Sequence, residues 1–177
     1  KSNGVTTFHG TARFVGGDTI EIEGEGRFQA RHFLIATGAR PRPLDVPGAE
    51  FMTDSTEFMR LEALPKRILF IGGGFISFEF GHIAARTGSE VCIIDRGDRP
   101  LKGFDTDLVE KLVARGAEIG IELRWNTALK SIKKDGADFL VTVDTDGKTQ
   151  DLSADLIVHG AGRVPAIDGL DLAAANV

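Results

Sequence analysis

The chain is poor in the features that would tie it to several protein classes. Its 177 residues hold one cysteine, Cys92. An internal disulfide framework is therefore excluded, and a reducing cytoplasm is the expected setting. No apolar run approaches the ~20 residues that a membrane span needs, so no membrane partner is expected. No basic run accompanies the net charge of −5, which argues against nucleic acid as a partner. The four histidines (His9, His32, His82 and His159) are scattered at no metal-ligand spacing, so no metal is expected. No nucleophile–base pairing is visible, and no catalytic residue is assigned. The opening KSNGVTTFHG lacks both an initiator Met and a signal-peptide pattern, and the chain reads as cut from something longer.

What is present centres on residues 67–95, RILFIGGGFISFEFGHIAARTGSEVCIID. A short apolar run bounded by glycines suits a strand buried on both faces of a parallel sheet. Gly72, Gly73 and Gly74 force a tight turn. From Phe75 the period becomes helical, with Ile76, Phe80, Ile83 and Ala84 on one face and Gly88 as the stop. A second apolar strand follows, and Asp95 emerges at its end. A helix N-terminus offers unpaired N–H groups and the positive end of its dipole to a pyrophosphate. Gly72 and Gly74 let that backbone approach closely, Ser77 is the third small position, and an acid about 20 residues on accepts from the adenosine ribose. The stretch predicts dinucleotide binding.

Around this unit the pattern changes. Residues 11–15, 19–23 and 27–32 alternate as an antiparallel meander, continued by an apolar strand at 33–37. The proline-rich ARPRPLDVPG is a stiff crossing. Residues 53–64 read as a helix capped by Asp54 or Ser55 and ended by Pro65. A second helix starts near Asp105, with Leu108, Leu112, Val113 and Ile119 as its inner stripe. The third parallel strand falls at 121–125. Short strands at 129–133, 139–145 and 148–152 form an antiparallel ribbon before a last parallel strand at 156–159. FLIATGARPRP (33–43) and LIVHGAGRVPA (156–166) echo one another as strand, Gly, Arg, Pro, which suggests an α/β unit inserted into another domain.

These segments closely resemble the flavin-dependent pyridine nucleotide–disulfide oxidoreductases, in ATGARP at 36–41, GGGFISFEFG at 72–81, GFD at 103–105 and GAGRVP at 160–165. The resemblance implies an α/β fold: a Rossmann-like parallel sheet with helices and an inserted antiparallel β ribbon, plus a partial meander from an FAD domain. It places an FAD-domain segment at 1–47, an NAD(P)-binding domain at 48–160 and a return segment at 161–177. It implies NAD or NADP as cofactor, FAD in a full-length homodimeric parent, and the missing FAD and dimerisation domains as partners. By position, Glu79 would contact the nicotinamide carboxamide and Phe75 would be the aromatic lid over it. Gly38, Gly162 and Arg163 would pass near the flavin and nicotinamide.

Asp95 favours NAD, because a carboxylate repels a 2′-phosphate. Arg96 and Lys102 match the basic positions that grip that phosphate in NADP-using members, so both cofactors stay open, with NAD the expectation. Each site residue has a plain structural alternative. Glu79 suits any helix N-terminus, Phe75 suits an ordinary core, and Arg163 suits an ion pair. Cys92 is expected as a buried hydrophobe. Other functions also stay open: a flavin-dependent NAD(P)H oxidase, a ferredoxin-type reductase without the disulfide, or a stand-alone NAD(H)-sensing module. As a fragment, the chain is expected to be inactive alone.

Overall fold

In the computed structural model, which describes residues 3–177, glycine turns and buried β-branched runs divide the chain into two units. One holds the residues up to Arg40 together with Val164–Val177; the other is Pro41–Arg163.

In the first unit, β1 (Ala12–Gly16), β2 (Thr19–Ile22) and β3 (Gly26–Gln29) form the expected antiparallel meander in that order. Arg13, Glu21 and Arg27 lie directly opposite one another across the three strands. Glu21 accepts from both arginines, a cross-strand pairing that favours this register. Phe14 is buried, with the Phe33 ring edge-on at 5.1 Å. The apolar stretch at 33–37 does not form the expected strand. Leu34 is 93% exposed, and among the described residues no strand lies beside it to complete a ladder. A strand without a neighbour has nothing to hold it. Pairing resumes only at β4 (Ala39–Pro41).

In the second unit a 3-10 turn at Ala49–Phe51 precedes α1 (Ser55–Phe58), a single turn where a helix over 53–64 is expected. Asp54 caps it through a complete capping box with Glu57. The turn stops because the residues that follow Phe58 bury no continuous apolar face: Met59 and Leu61 are exposed, and only Leu64 returns to the core. A short helix without an apolar face to bury is marginal.

Next come β5 (Arg67–Ile71), α2 (Phe75–Arg86), β6 (Glu90–Ile94), α3 (Thr106–Glu118), β7 (Glu122–Arg124), β8 (Thr127–Asp135), β9 (Asp138–Thr145), β10 (Lys148–Ala154) and β11 (Leu156–His159), and then β12 (Arg163–Pro165), where the chain returns to the first unit. Four of them form a parallel sheet in the order β11-β5-β6-β7. β8, β9 and β10 make the expected antiparallel ribbon. β12 pairs with β4.

The sheet is buried on both faces, as its apolar runs require. Ile68, Phe70, Val91, Ile93 and Val158 pack toward the helices with Phe58, Phe78, Ala84 and Ile121. Leu69, Ile71, Ile94 and Ile157 pack on the other side against Ile132, Val141, Val143 and Ala154 of the ribbon. Burying a side chain such as that of Phe70, with no exposed surface, contributes about 1.5–3 kcal/mol.

Each helix packs on the core with most of its expected stripe, Phe80 and Ala84 of α2 and Leu112, Val113 and Ile119 of α3, but the most deeply buried line differs and one expected residue of each turns out. In α2 that line is Ser77, Phe78, Gly81 and Ala84, and Ile83 is 53% exposed. The small residues decide this: a Cβ on Gly81 would lie 3.2 Å from Ile93 Cδ1, so that side sits closest to the sheet. In α3 the buried positions are Val109 and Gly116, and Leu108 is 66% exposed. Gly116 faces His82 of α2, which rotates Leu108 outward.

Candidate functional site

The carboxyl ends of β5, β6 and β11 finish at one edge of the sheet, where an open sheet places its ligand crevice. Three turns leave from there, at Gly72, Asp95 and Gly160.

Gly72 is the tightest point. Its φ is 102°, in the left-handed region that a side chain disfavours. A Cβ there would lie 2.6 Å from Ala161 Cα and 2.7 Å from the Gly160 carbonyl carbon. Its N–H donates to the Ile94 carbonyl at 2.8 Å, and Gly160 N–H donates to the Ile71 carbonyl at 2.8 Å. Ser77 lies fully buried under the same junction, and a Cβ on Gly160 would collide with its Oγ at 2.0 Å. Two turns and one helix thus meet where only small residues fit.

Gly74 opens α2 in an extended conformation, and no side chain caps the helix. In contrast, α1 and α3 are capped by the carboxylates of Asp54 and Asp105. The first amides of α2, beginning at Phe75, are therefore left for another acceptor.

These amides face an open cleft of about 1160 Å³ walled by 42–46, 71–76, the loop after β6, 127–129 and 160–163. Arg42, Arg96, Arg99, Lys102 and Arg163 line it against Asp45 and Asp95. The cleft is thus cationic within an acidic chain, which concentrates anions. Lys102 Nζ stands 2.8 Å from Asp98 Oδ1, and an Arg99 Nη donates to the Lys102 carbonyl at 3.1 Å. His159, at the end of β11, lies 2.8 Å through Nε2 from the Arg42 carbonyl, and Arg42 N–H donates to the Gly162 carbonyl. That partnership assigns the proton to Nε2 and fixes the wall at 42–46.

The cleft gathers Gly72, Gly74, Phe75, Ile76, Asp95, Arg96, Lys102, Gly162 and Arg163 from the residues singled out in the sequence. Phe75 is 52% exposed, not a core residue. Ser77 lies beneath the cleft. Glu79 is exposed and outside the lining, and Gly38 belongs to the first unit. The sequence did not mark Arg42, Leu44 or 127–129, and it carried Phe104 only as part of the GFD match at 103–105. The prolines around Arg42 announced only a connector, and Thr127 carried no motif. Among the described residues, no cluster of three His, Cys, Asp or Glu side chains is placed to hold a metal. Among the described residues, no helix is long and apolar enough to cross a membrane.

A parallel sheet with helices on one face, a β ribbon on the other and a glycine turn at its carboxyl edge defines an α/β, Rossmann-like protein. The sequence model of the pyridine nucleotide–disulphide oxidoreductases matches residues 1–177, and the chain belongs to that family. It is 34% identical to mercuric reductase of Lysinibacillus sphaericus over 170 residues, covering 95% of this chain and 31% of that one. With glutathione reductase of Nostoc sp. it shares 35% over 174 residues, covering 98% and 38%. With dihydrolipoyl dehydrogenase of Thermus scotoductus it shares 36% over 181 residues, covering 100% and 39%. The chain thus spans between about a third and two fifths of these relatives' lengths. The solved structure of an HOCl-induced flavoprotein disulfide reductase, RclA of Escherichia coli, shares the fold. Its TM-score is 0.81 at 24% identity, covering 95% of this chain and 38% of that one.

Proposed function

We propose that the Pro41–Arg163 unit binds a nicotinamide dinucleotide, NAD or NADP, for a flavin-dependent oxidoreductase whose FAD and dimer domains belong to the parent chain. The observation that carries this reading is the uncapped start of α2 behind the Gly72 turn, facing a cationic cleft. Its size suits a dinucleotide, and the donors suit a pyrophosphate: backbone N–H groups at a positive helix end with no Cβ in the way.

In this reading the amides of Phe75, Ile76 and Ser77 hold the phosphates. Arg96, Arg99 and Lys102 face the adenosine end. Phe75 covers the nicotinamide end, beside Gly162 and Arg163. Glu79, one turn further along α2, meets the carboxamide once Phe75 swings aside. Gly38 lies on the flavin side. When bound, the nicotinamide supplies the hydride and the parent's FAD accepts it; the residues of this chain bind and orient. The family membership and the relatives named as glutathione, mercuric and dihydrolipoyl enzymes support this assignment. The setting we infer is cytoplasmic, and the parent a homodimer.

Parallel calorimetric titrations with NADH, NADPH and FAD test the proposal. The chain should bind the nicotinamide dinucleotides and not FAD, and should reduce no disulfide alone. Substituting Arg96 and Lys102 together by Ala should weaken NADPH by about tenfold or more and NADH less. Micromolar FAD binding with no dinucleotide binding would refute it.

A further inference from the structure

Asp95 stands at the end of β6, where an acid is expected to accept from a ribose. Both its oxygens already have partners in the protein. Oδ2 accepts from Gly73 N–H at 2.6 Å, and Oδ1 accepts from Gly97 N–H at 2.6 Å. The fit is close on both sides. A Cβ on Gly73 would lie 3.2 Å from Oδ2 and 3.2 Å from Pro100 Cβ. A Cβ on Gly97 would lie 2.9 Å from Oδ1 and 3.1 Å from Lys102 Nζ.

The same glycine is held from its other end. Gly73's carbonyl accepts from Leu101 N–H at 2.9 Å. Leu101 adopts a φ of 48°, uncommon for a bulky residue, while packing on the core beneath. Thr127 N–H donates to the Asp95 carbonyl and Asn126 N–H to the Gly97 carbonyl, each at 2.8 Å. The loop 95–101 is therefore stitched to the glycine turn on one side and to the start of β8 on the other.

From this geometry we propose that Asp95 is a positioning residue. It clamps Gly73, and so aims the amides that open α2 at the pyrophosphate, and it does not choose between NAD and NADP. The inference rests on the dinucleotide reading above and deepens it. Two N–H dipoles already face the carboxylate, and Arg96, Arg99 and Lys102 share its wall. A 2′-phosphate arriving there meets net positive charge, so an acid in this position does not exclude NADP.

The test titrates the unsubstituted chain, Asp95→Ala and Asp95→Asn with ADP-ribose and with 2′-phospho-ADP-ribose. Amide hydrogen exchange at Gly73 and Gly97 is followed in the absence of ligand. Clamp loss in Asp95→Ala should weaken both ligands by about tenfold or more, with their ratio constant within about threefold. Asp95→Asn keeps the shape and one acceptor, so it guards against misfolding; it should weaken both equally and by less. Exchange at the two glycine amides should quicken in both variants while the amides of β5 and β6 keep their protection. Selective loss of ADP-ribose, with the phosphorylated ligand unchanged or tighter, would overturn the inference. Unchanged exchange at Gly73 and Gly97 would also overturn it. If the unsubstituted chain binds neither ligand, the dinucleotide reading fails and the positioning role with it. If it binds both and substitution moves only selectivity, that reading stands and the inference alone falls.

Discussion

Arg67 and Asp155 are joined through backbone and side chain together: Arg67 N–H donates to Asp155 Oδ2 at 2.8 Å, and Arg67 Nε donates to Oδ1 at 3.0 Å. The same guanidinium reaches Asp138 at 2.6 Å. It therefore ties the first strand of the parallel sheet to both ends of the ribbon's return path, since Asp155 separates β10 from β11 and Asp138 opens β9.

The Arg67 hydrogen bond is the main reason the Asp155 carboxyl titrates below its ordinary value of 3.8. A depressed folded-state value means that the unfolded chain binds the proton first. The pair's contribution is complete above the ordinary value and fades as the pH falls through the depressed one. Urea denaturation at stepped pH should show this loss below about pH 4, and Asp155→Asn should remove that part of the slope and lower the midpoint at pH 7.

Gly72→Ala should be among the most damaging single-methyl changes. The new Cβ would meet backbone at 2.6 Å and would demand a positive φ of a residue that resists it. Together these cost roughly 2–4 kcal/mol, read as a drop in the chemical-denaturation midpoint. Dinucleotide affinity should fall with it. Gly88→Ala also sits at positive φ but in open space, so it should cost only the backbone term.

His82 gives the opposite end of the fold a pH dependence of its own. Its Nε2 is buried without a hydrogen-bond partner against Gly116 of α3. Desolvation, followed by the nearby Arg86 and Arg115, holds the imidazole below its ordinary value of 6.5. Stability is therefore full above that value and declines as the pH falls through the lowered one, because the unfolded chain protonates first. His82→Gln should flatten the part of the urea midpoint profile that falls below the ordinary value of 6.5. Titration of His82 by NMR at or above its ordinary value would contradict this.

Cys92 should be chemically quiet in the folded chain. Burial, first of all, pushes its thiol up to about 12, so almost no thiolate exists near neutrality. Iodoacetamide labelling at pH 8 should be at least about a hundredfold slower in native buffer than in urea. Equal rates would show that the folded sheet leaves the thiol within reach of the reagent.

How much was legible beforehand follows from range. Arg67–Ile71, the helix from Phe75 and the strand ending at Asp95 could be read directly, because burial on both faces, a glycine turn and a 3.6-residue period are written in neighbouring residues. The stretch at 33–37 has the same composition as a strand and forms none. The helix capped by Asp54 ends at Phe58, because the residues after it do not continue it. In both cases the missing ingredient is a partner surface, which no local pattern encodes. Ile83 and Leu108 fail the same way: their spacing put them on an apolar face, but the position of Gly81 and Gly116 at the closest approach turned each helix away from them.

The site divides along the same line. Glycines, the small Ser77 and the acid at Asp95 were fixed by sequence, since a tight turn admits few residue types. The meeting of Gly72 with Gly160, the wall at Arg42 and the clamp of Asp95 on Gly73 were decided by the tertiary structure alone. They join residues from 22 to 117 positions apart. Such contacts depend on how strands stack in register across a sheet, and that order arises only when the whole core packs at once.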